Sequence, residues 1–467
     1  MSDDQQLNIV ILGASFAGLS TAHALLDRIL PELEISHAAG TYRVVLISPS
    51  THFYWNIAAP RALVSSQLIP HANSFVPITS GFEKYSALDF QFIHGTATLL
   101  DRHARTITML VSPNEANKRD STATKRSSHK TDETSTSTRS NVVQTIRFHS
   151  LILATGTSSD SPLFSLNGAH EKTISALDDF HARLRTANSI LIAGGGPTGV
   201  ETAGQLSIYF NDKPALLDHL SCFSSGIARD HATVDPPRKP KTITLISGSE
   251  RLLPTLKSTI AKKAEATLRS QGVHILHNVR VVATREKNNS ARTMACHLNN
   301  DTTINADLYI ACTGVRPNTS YLSSDLLDRD GYVLTDPKCL RVPLAGPRVY
   351  AIGDCASYSA NYTRDIFDAI PVLAKNLAND LVEHELKLRF PTDAEERRKR
   401  EEALVDRSFE RNRTFSWLMP CSKRGGVGVI SDRAVPSSMV HFLKGKTYLV
   451  EKARAVVTRG KNPYAMK

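Results

Sequence analysis

The chain has 467 residues, 41% hydrophobic and 22% charged, with a formal net charge of +11. That is more chain than one core accommodates, and the balance excludes a low-complexity or fibrous protein. The positive excess suits a polyanionic partner such as nucleic acid, anionic lipid or a nucleotide, or it serves solubility alone.

The first residues, Met1 to Gln6, are acidic and lack the basic start and apolar core of a secretory signal. Ser2 stands where N-myristoylation needs glycine. No run of about 18 apolar residues predicts a spanning helix. The expected location is therefore the cytoplasm, with contact at a membrane surface left open. Six cysteines (Cys222, Cys296, Cys312, Cys339, Cys355 and Cys421) show no metal-like spacing. They fit a reducing compartment rather than a disulfide framework, and no metal site is expected.

In chain order, a strand is predicted at Leu7–Leu12, then a glycine turn, a helix from Ala17 to Leu30, and a strand at Arg43–Ser48, which together open as βαβ. Residues 112–141 are rich in Ser, Thr, Lys, Arg and Asn and predict a disordered insertion. Strands follow at Gln144–Phe148 and Leu151–Ala154. A second βαβ begins at Ser189–Ala193, with a helix to Phe210 and a strand at Thr242–Ser247. Another insertion is expected at 211–240. Further strands are predicted at Val273–His277, Leu308–Cys312 and Arg348–Ile352, then a charged helix over 393–413. The tail, 426–461, alternates apolar and polar residues and predicts a small sheet with a helix.

Four motifs carry the chemistry. Gly13-Ala14-Ser15-Phe16-Ala17-Gly18 lies between a strand and a helix, the geometry that aims free amides and a helix dipole at a pyrophosphate. Its middle glycine is replaced by Ser15. Gly194-Gly195-Gly196-Pro197-Thr198-Gly199 matches the fingerprint fully, in the same context. Leu151 to Gly156 is an apolar strand ending in the small turn Thr155-Gly156, and Val349 to Asp354 is a strand ending in Gly-Asp. Asp354 can accept from a ribityl hydroxyl of FAD or cap a helix.

These motifs, in this order, resemble the two-dinucleotide flavoprotein reductases. The resemblance is nearest to the apoptosis-inducing-factor-like branch, with the ferroptosis suppressors and their fungal relatives. The stretches His52 to Arg61, Cys312 to Asn318, Tyr350 to Ala356 and Gly426 to Ile430 support it, and it spans the chain apart from the two insertions. It implies an α/β fold of two intertwined Rossmann-like, glutathione-reductase-like units plus a small α+β C-terminal domain. The FAD-binding unit would be 1–157 with 306–385, the NAD(P)H-binding unit 158–305, and the C-terminal domain 386–467. It further implies that Gly13 to Gly18 hold the FAD pyrophosphate, with Thr155 and Gly156 nearby. Arg61 would lie beside the flavin, the Ala97 backbone would meet the adenine, and Asp354 would bind the flavin. Gly194, Gly196 and Gly199 would cradle the nicotinamide nucleotide. Glu201 would stand close to the nicotinamide, or serve as a first-turn acid complementing the helix dipole.

The departures are informative. The first unit's second strand ends in Ser48-Pro49 without an acid for the ribose. The second unit's corresponding strand ends in Ser247-Gly248-Ser249, followed by Glu250 and by Arg251, which is available for a 2′-phosphate. The nicotinamide cofactor is thus NADPH or NADH. No thiol pair is available for disulfide reduction. The expected activity is transfer of hydride from NAD(P)H through FAD to a quinone-type acceptor. The alternatives are a tailoring flavoenzyme of specialised metabolism and, motivated by the charge, a redox-linked apoptosis or nucleic-acid-binding protein, although no nucleic acid is expected. Lys444, Lys446, Lys452, Arg454, Arg459 and Lys461, interleaved with Phe442, Leu443, Tyr448 and Leu449, read either as a membrane-contacting face or as a solvated basic one. The oligomeric state is not legible.

Overall fold

Each half of the chain opens with an apolar strand, a glycine turn and a helix, and each opening seeds its own parallel sheet. The computed structural model describes residues 6–33, 40–112, 142–211, 239–287, 293–412, 414 and 416–465. The first half runs β1 (Gln6–Leu12), α1 (Phe16–Ala24), β2 (Thr41–Ser48), the short α2 (Ala59–Ala62), then β3 (Phe90–Asp101), β4 (Thr106–Val111), β5 (Val142–Arg147) and β6 (Ser150–Leu153). Then come α3 (His170–Thr186), β7 (Ser189–Ala193), α4 (Pro197–Phe210), β8 (Thr242–Ile246), α5 (Ser258–Ser270), β9 (Val273–Leu276) and β10 (Leu308–Ala311). The chain ends in β11 (Val349–Ala351), α6 (Thr363–Arg389), α7 (Ala394–Glu401), β12 (Trp417–Ser422), β13 (Gly425–Ile430) and α8 (Ala453–Arg459).

The first sheet has the order β11-β6-β1-β2-β3-β4-β5. It is parallel from β11 to β3 and antiparallel beyond. The second has the order β9-β8-β7-β10 and is parallel throughout. Parallel strands are covered on both faces. Hence Ile9–Leu12, Val44–Ser48 and Ser150–Leu153 are all buried. Thr157–Ser159 and Val315–Pro317 pair antiparallel where the chain leaves the first sheet and returns to it.

Three expectations shift. The strand Leu308–Ala311, assigned from sequence to the FAD-binding segment beginning at 306, completes the second sheet beside β7. The charged helix expected over 393–413 spans only Ala394–Glu401. Beyond it the chain is drawn out by tertiary contacts: Arg407 N donates to Asn376 Oδ1 at 2.7 Å and Phe409 N to the Lys338 carbonyl at 2.8 Å. The helix after the first turn is α-helical only to Ala24 and continues as a π turn over Leu25–Ile29.

The insertions expected at 112–141 and 211–240 lie outside the described residues except at their ends. Those ends are held together. Val111 pairs with Val142 across β4 and β5. Asn211 and Lys241 exchange two hydrogen bonds of 2.9 and 2.8 Å. The tail's apolar residues divide between the two main cores. Tyr448, Ala453, Val456 and Val457 join the core around the first sheet. Met419, Cys421, Val427 and Val429 join the one around the second.

Candidate functional site

The two glycine turns repeat each other contact for contact. Gly13 takes φ +102° and Gly194 φ +122°, a region that only glycine enters freely. A Cβ on Gly13 would strike the Ala154 carbonyl, and one on Gly194 the Cys312 carbonyl. Gly13 N donates to Ile47 O and Gly194 N to Ile246 O, each at 2.8 Å. Gly18 and Gly199 let each helix pack onto its own turn, against the carbonyls of Gly13 and Gly194. No side chain caps α1 at Ser15 or α4 at Gly196, and neither first turn holds an acid. Both sets of leading amides therefore remain open to an anion.

Around the first turn the structure closes. Ala14, Phe16 and Ala17 are buried, and the Phe16 ring stands 5.0 Å from Phe53 and 5.6 Å from Trp55. Gly353, at φ +79°, brings β11's end against Ala17. Asp354 follows. It caps no helix, since the next begins at Thr363. Among the described residues its Oδ1 is shut off from solvent without a partner, and burial, with Asp365 nearby, pushes its carboxyl up to about 6. A buried acceptor without a donor fits a ligand that brings a hydroxyl, as FAD does. Thr155 spends its hydroxyl on the Asn318 carbonyl at 2.7 Å, and the carbonyls of Thr155 and Gly156 accept from Asn318 Nδ2 and N, both at 2.9 Å. Ala97 sits at an irregularity in the β3–β4 pairing, packed against the core around the first sheet.

Behind the second turn the structure gathers charge. Glu201 lies past the first turn of α4 and is buried, which sets aside the first-turn reading. Its Oε1 accepts from Lys444 Nζ at 2.6 Å. Burial raises the Glu201 carboxyl, and Lys444 opposes that rise. Arg61, on α2, donates from Nε to Gln205 Oε1 at 2.8 Å and from Nη1 to the Lys446 carbonyl at 3.1 Å. Its guanidinium lies 4.6 Å from the centre of the Tyr448 ring. Tyr448 and Leu449 both hold positive φ, +53° and +58°. Two non-glycine residues in that region store strain, and Trp55 Nε1, donating to the Tyr448 carbonyl at 2.8 Å, helps to hold them. The first half, α4 and the tail thus each supply part of one charged cluster.

Arg61 and Glu201 were legible in the sequence. Lys444 was counted there as part of a basic surface, but it is turned inward. Gln205 and Tyr448 were not singled out as site residues, although Gln205, one helical turn after Glu201, shares its face. Cys312 and Cys421 are driven up to about 12 by burial, and Cys355 is raised for the same reason. Among the described residues no cysteine is disulfide-bonded. None of the described helices is long and apolar enough to cross a membrane.

Residues 7–376 match the family model described as pyridine nucleotide-disulphide oxidoreductase. The chain is 33% identical to oxidoreductase phnG of Penicillium herquei, over 94% of this chain and 93% of that one. It is 22% identical to ferroptosis suppressor protein 1 of Taeniopygia guttata, over 97% and 96%. Among solved structures, the sulfide:quinone oxidoreductase of Aquifex aeolicus shares the fold with a TM-score of 0.64 and 13% identity, over 97% and 92%. The chain belongs to the pyridine nucleotide-disulphide oxidoreductase family and is an oxidoreductase that uses FAD and NAD(P)H.

Proposed function

We propose that this protein moves hydride from NADPH or NADH, by way of FAD, to a quinone-type acceptor. The observation that carries the reading is the buried Arg61–Glu201–Lys444–Tyr448 cluster directly behind the second glycine turn. FAD, when bound, supplies the exchange of a hydride for two electrons. The chain supplies the rest.

In this reading the amides after Gly13 neutralise the FAD pyrophosphate, and Asp354 accepts from a hydroxyl of its sugar chain. The amides after Gly194 hold the nicotinamide dinucleotide. Arg61 and Lys444 place two positive charges where negative charge builds during reduction. Turning a quinone into a hydroquinone takes one hydride from NAD(P)H and one proton from outside it. Lys444 Nζ, bonded to Glu201, is a held donor for that proton. The raised thiols of Cys312, Cys355 and Cys421 speak against these three as a disulfide-reducing centre, which needs an accessible thiolate. The division into an FAD-binding unit, an NAD(P)H-binding unit and a tail belongs to the same proposal, with the second boundary moved past Ala311.

The turn His441–Gly445 that points Lys444 inward leaves Phe442 74% exposed and Leu443 44% exposed. This supports contact with an anionic membrane, where a lipid quinone resides. A panel of quinones beside glutathione disulfide, in NADPH- and NADH-driven steady state, tests the reading. Turnover with quinones and none with the disulfide is expected, and the reverse overturns it. A second reading, a tailoring oxidoreductase acting on a specialised acceptor, is favoured by the higher identity to phnG than to ferroptosis suppressor protein 1. Normal flavin reduction with poor turnover of every simple quinone selects it.

A further inference from the structure

We propose that the second cradle selects NADPH over NADH and that Arg280 is the residue that reads the 2′-phosphate. This rests on the reading of Gly194–Gly199 as the nicotinamide site. In such cradles the strand after the glycine helix ends beside the adenosine ribose. An acid there accepts from the 2′-hydroxyl of NADH, and an arginine there suits the phosphate of NADPH.

That strand is β8, and its end carries no acid. Ser247 follows it, buried, with its hydroxyl donating to the Arg251 carbonyl at 3.1 Å. Arg251, the arginine that sequence alone suggests, is committed to its own loop, where Nη2 donates to the Pro254 carbonyl at 2.8 Å. A second arginine arrives from elsewhere. Residues 278 and 279 are stitched to the strand end by two backbone bonds, Val279 N to Ser247 O and Asn278 N to Ser249 O, both 3.1 Å. Asn278 turns the chain at φ +57°. The next residue, Arg280, is thereby laid across Gly248.

The fit at Gly248 is specific. A Cβ there would lie 2.5 Å from Arg280 Nε, 2.8 Å from Cγ and 3.1 Å from Cδ, so the missing side chain leaves room for the arginine to lie across this residue. The Arg280 backbone is fixed on its other side. Its N–H donates to Asn299 Oδ1 at 2.8 Å, and its carbonyl accepts from Asn299 N at 2.9 Å. Among the described residues the guanidinium itself makes no hydrogen bond or ion pair, and Arg280 is exposed. A pinned stem with a free, planar, permanently charged head matches a phosphate monoester.

The test uses flavin-loaded full-length protein and two probes, adenosine 2′,5′-bisphosphate and adenosine 5′-monophosphate, titrated by calorimetry. The bisphosphate is expected to bind roughly ten- to a hundredfold tighter, as charge-assisted hydrogen bonds to one phosphate imply. That ratio should shrink as salt rises. Arg280→Ala should bring the ratio close to one, Arg280→Lys should keep part of it, and Gly248→Ala should lower it by displacing the arginine. Equal binding of the two probes by the unaltered protein overturns the proposal. So does a ratio that survives Arg280→Ala and is lost in Arg251→Ala. If neither probe binds and neither reduced cofactor bleaches the flavin, the nicotinamide reading of the cradle fails, and this proposal falls with it. If both cofactors bleach the flavin equally and the probes bind alike, only the Arg280 proposal falls.

Discussion

The two glycine turns share one backbone plan and differ in everything placed downstream of it. After Gly18 the chain meets aromatic rings and the orphaned acid Asp354, a closed surround. After Gly199 it meets an ion pair, and where Phe16 and Ala17 are buried in the first turn, Pro197 is half-buried and Thr198 exposed in the second. A pyrophosphate cradle alone therefore does not say how long its ligand stays. A closed cradle with a buried acceptor suits a resident cofactor. An open one backed by charge suits a dinucleotide that enters, gives up hydride and leaves.

Several substitutions set this contrast at risk. The largest effect is expected for Gly194→Val, which forces a side chain into the Cys312 carbonyl at a left-handed φ. The protein should stay yellow while its flavin is reduced by NADPH more slowly by about a hundredfold or more, the scale of a misplaced reactant. Loss of flavin in this variant would show that the two cradles are not separable.

Lys444→Met comes next, because it strands a buried carboxylate. The expected loss is about 3–5 kcal/mol in denaturant unfolding, the range for a broken buried pair. Adding Glu201→Gln should return most of the stability but not the catalytic rate. A single variant as stable as the parent would show that the pair is not buried in solution.

Asp354 gives a pH signature. Its folded carboxyl is raised to about 6 from an ordinary 3.8. The flavin-free folded state then keeps a proton that the unfolded state releases between those values. Its contribution is full below pH about 4 and is lost as pH rises to about 6, a swing of up to about 3 kcal/mol. Melting curves of flavin-free protein and of Asp354→Asn across pH 4–7 should differ by that slope, and flavin binding should remove it. Identical slopes would show that burial does not raise the Asp354 carboxyl. The smallest effect is expected for Phe442→Glu: a few-fold weaker sedimentation with anionic liposomes, with turnover of a water-soluble quinone unchanged.

What the sequence disclosed follows the range of its signals. Glycine spacing between an apolar strand and a helix is local, so both cradles and most of their strands were legible. Pairings across hundreds of residues were not. Lys444 looked like one more surface cation, because nothing near it in the chain announces Glu201. Arg251 drew attention by adjacency, although its guanidinium is tied to Pro254, whereas that of Arg280 makes no hydrogen bond or ion pair among the described residues. The charged stretch over 393–413 reads as helix by propensity, yet Asn376 and Lys338 capture its second half as extended chain. The sequence reading puts Leu308–Ala311 in the FAD-binding segment, and its pairing with β7 moves it to the second sheet.

The central claim is that both cradles serve one electron path. Anaerobic stopped-flow mixing of the purified yellow protein with NADPH tests it most directly. The account predicts that the flavin absorbance bleaches in a single turnover at a rate that saturates with cofactor concentration. A flavin that stays oxidised with both NADPH and NADH would contradict it.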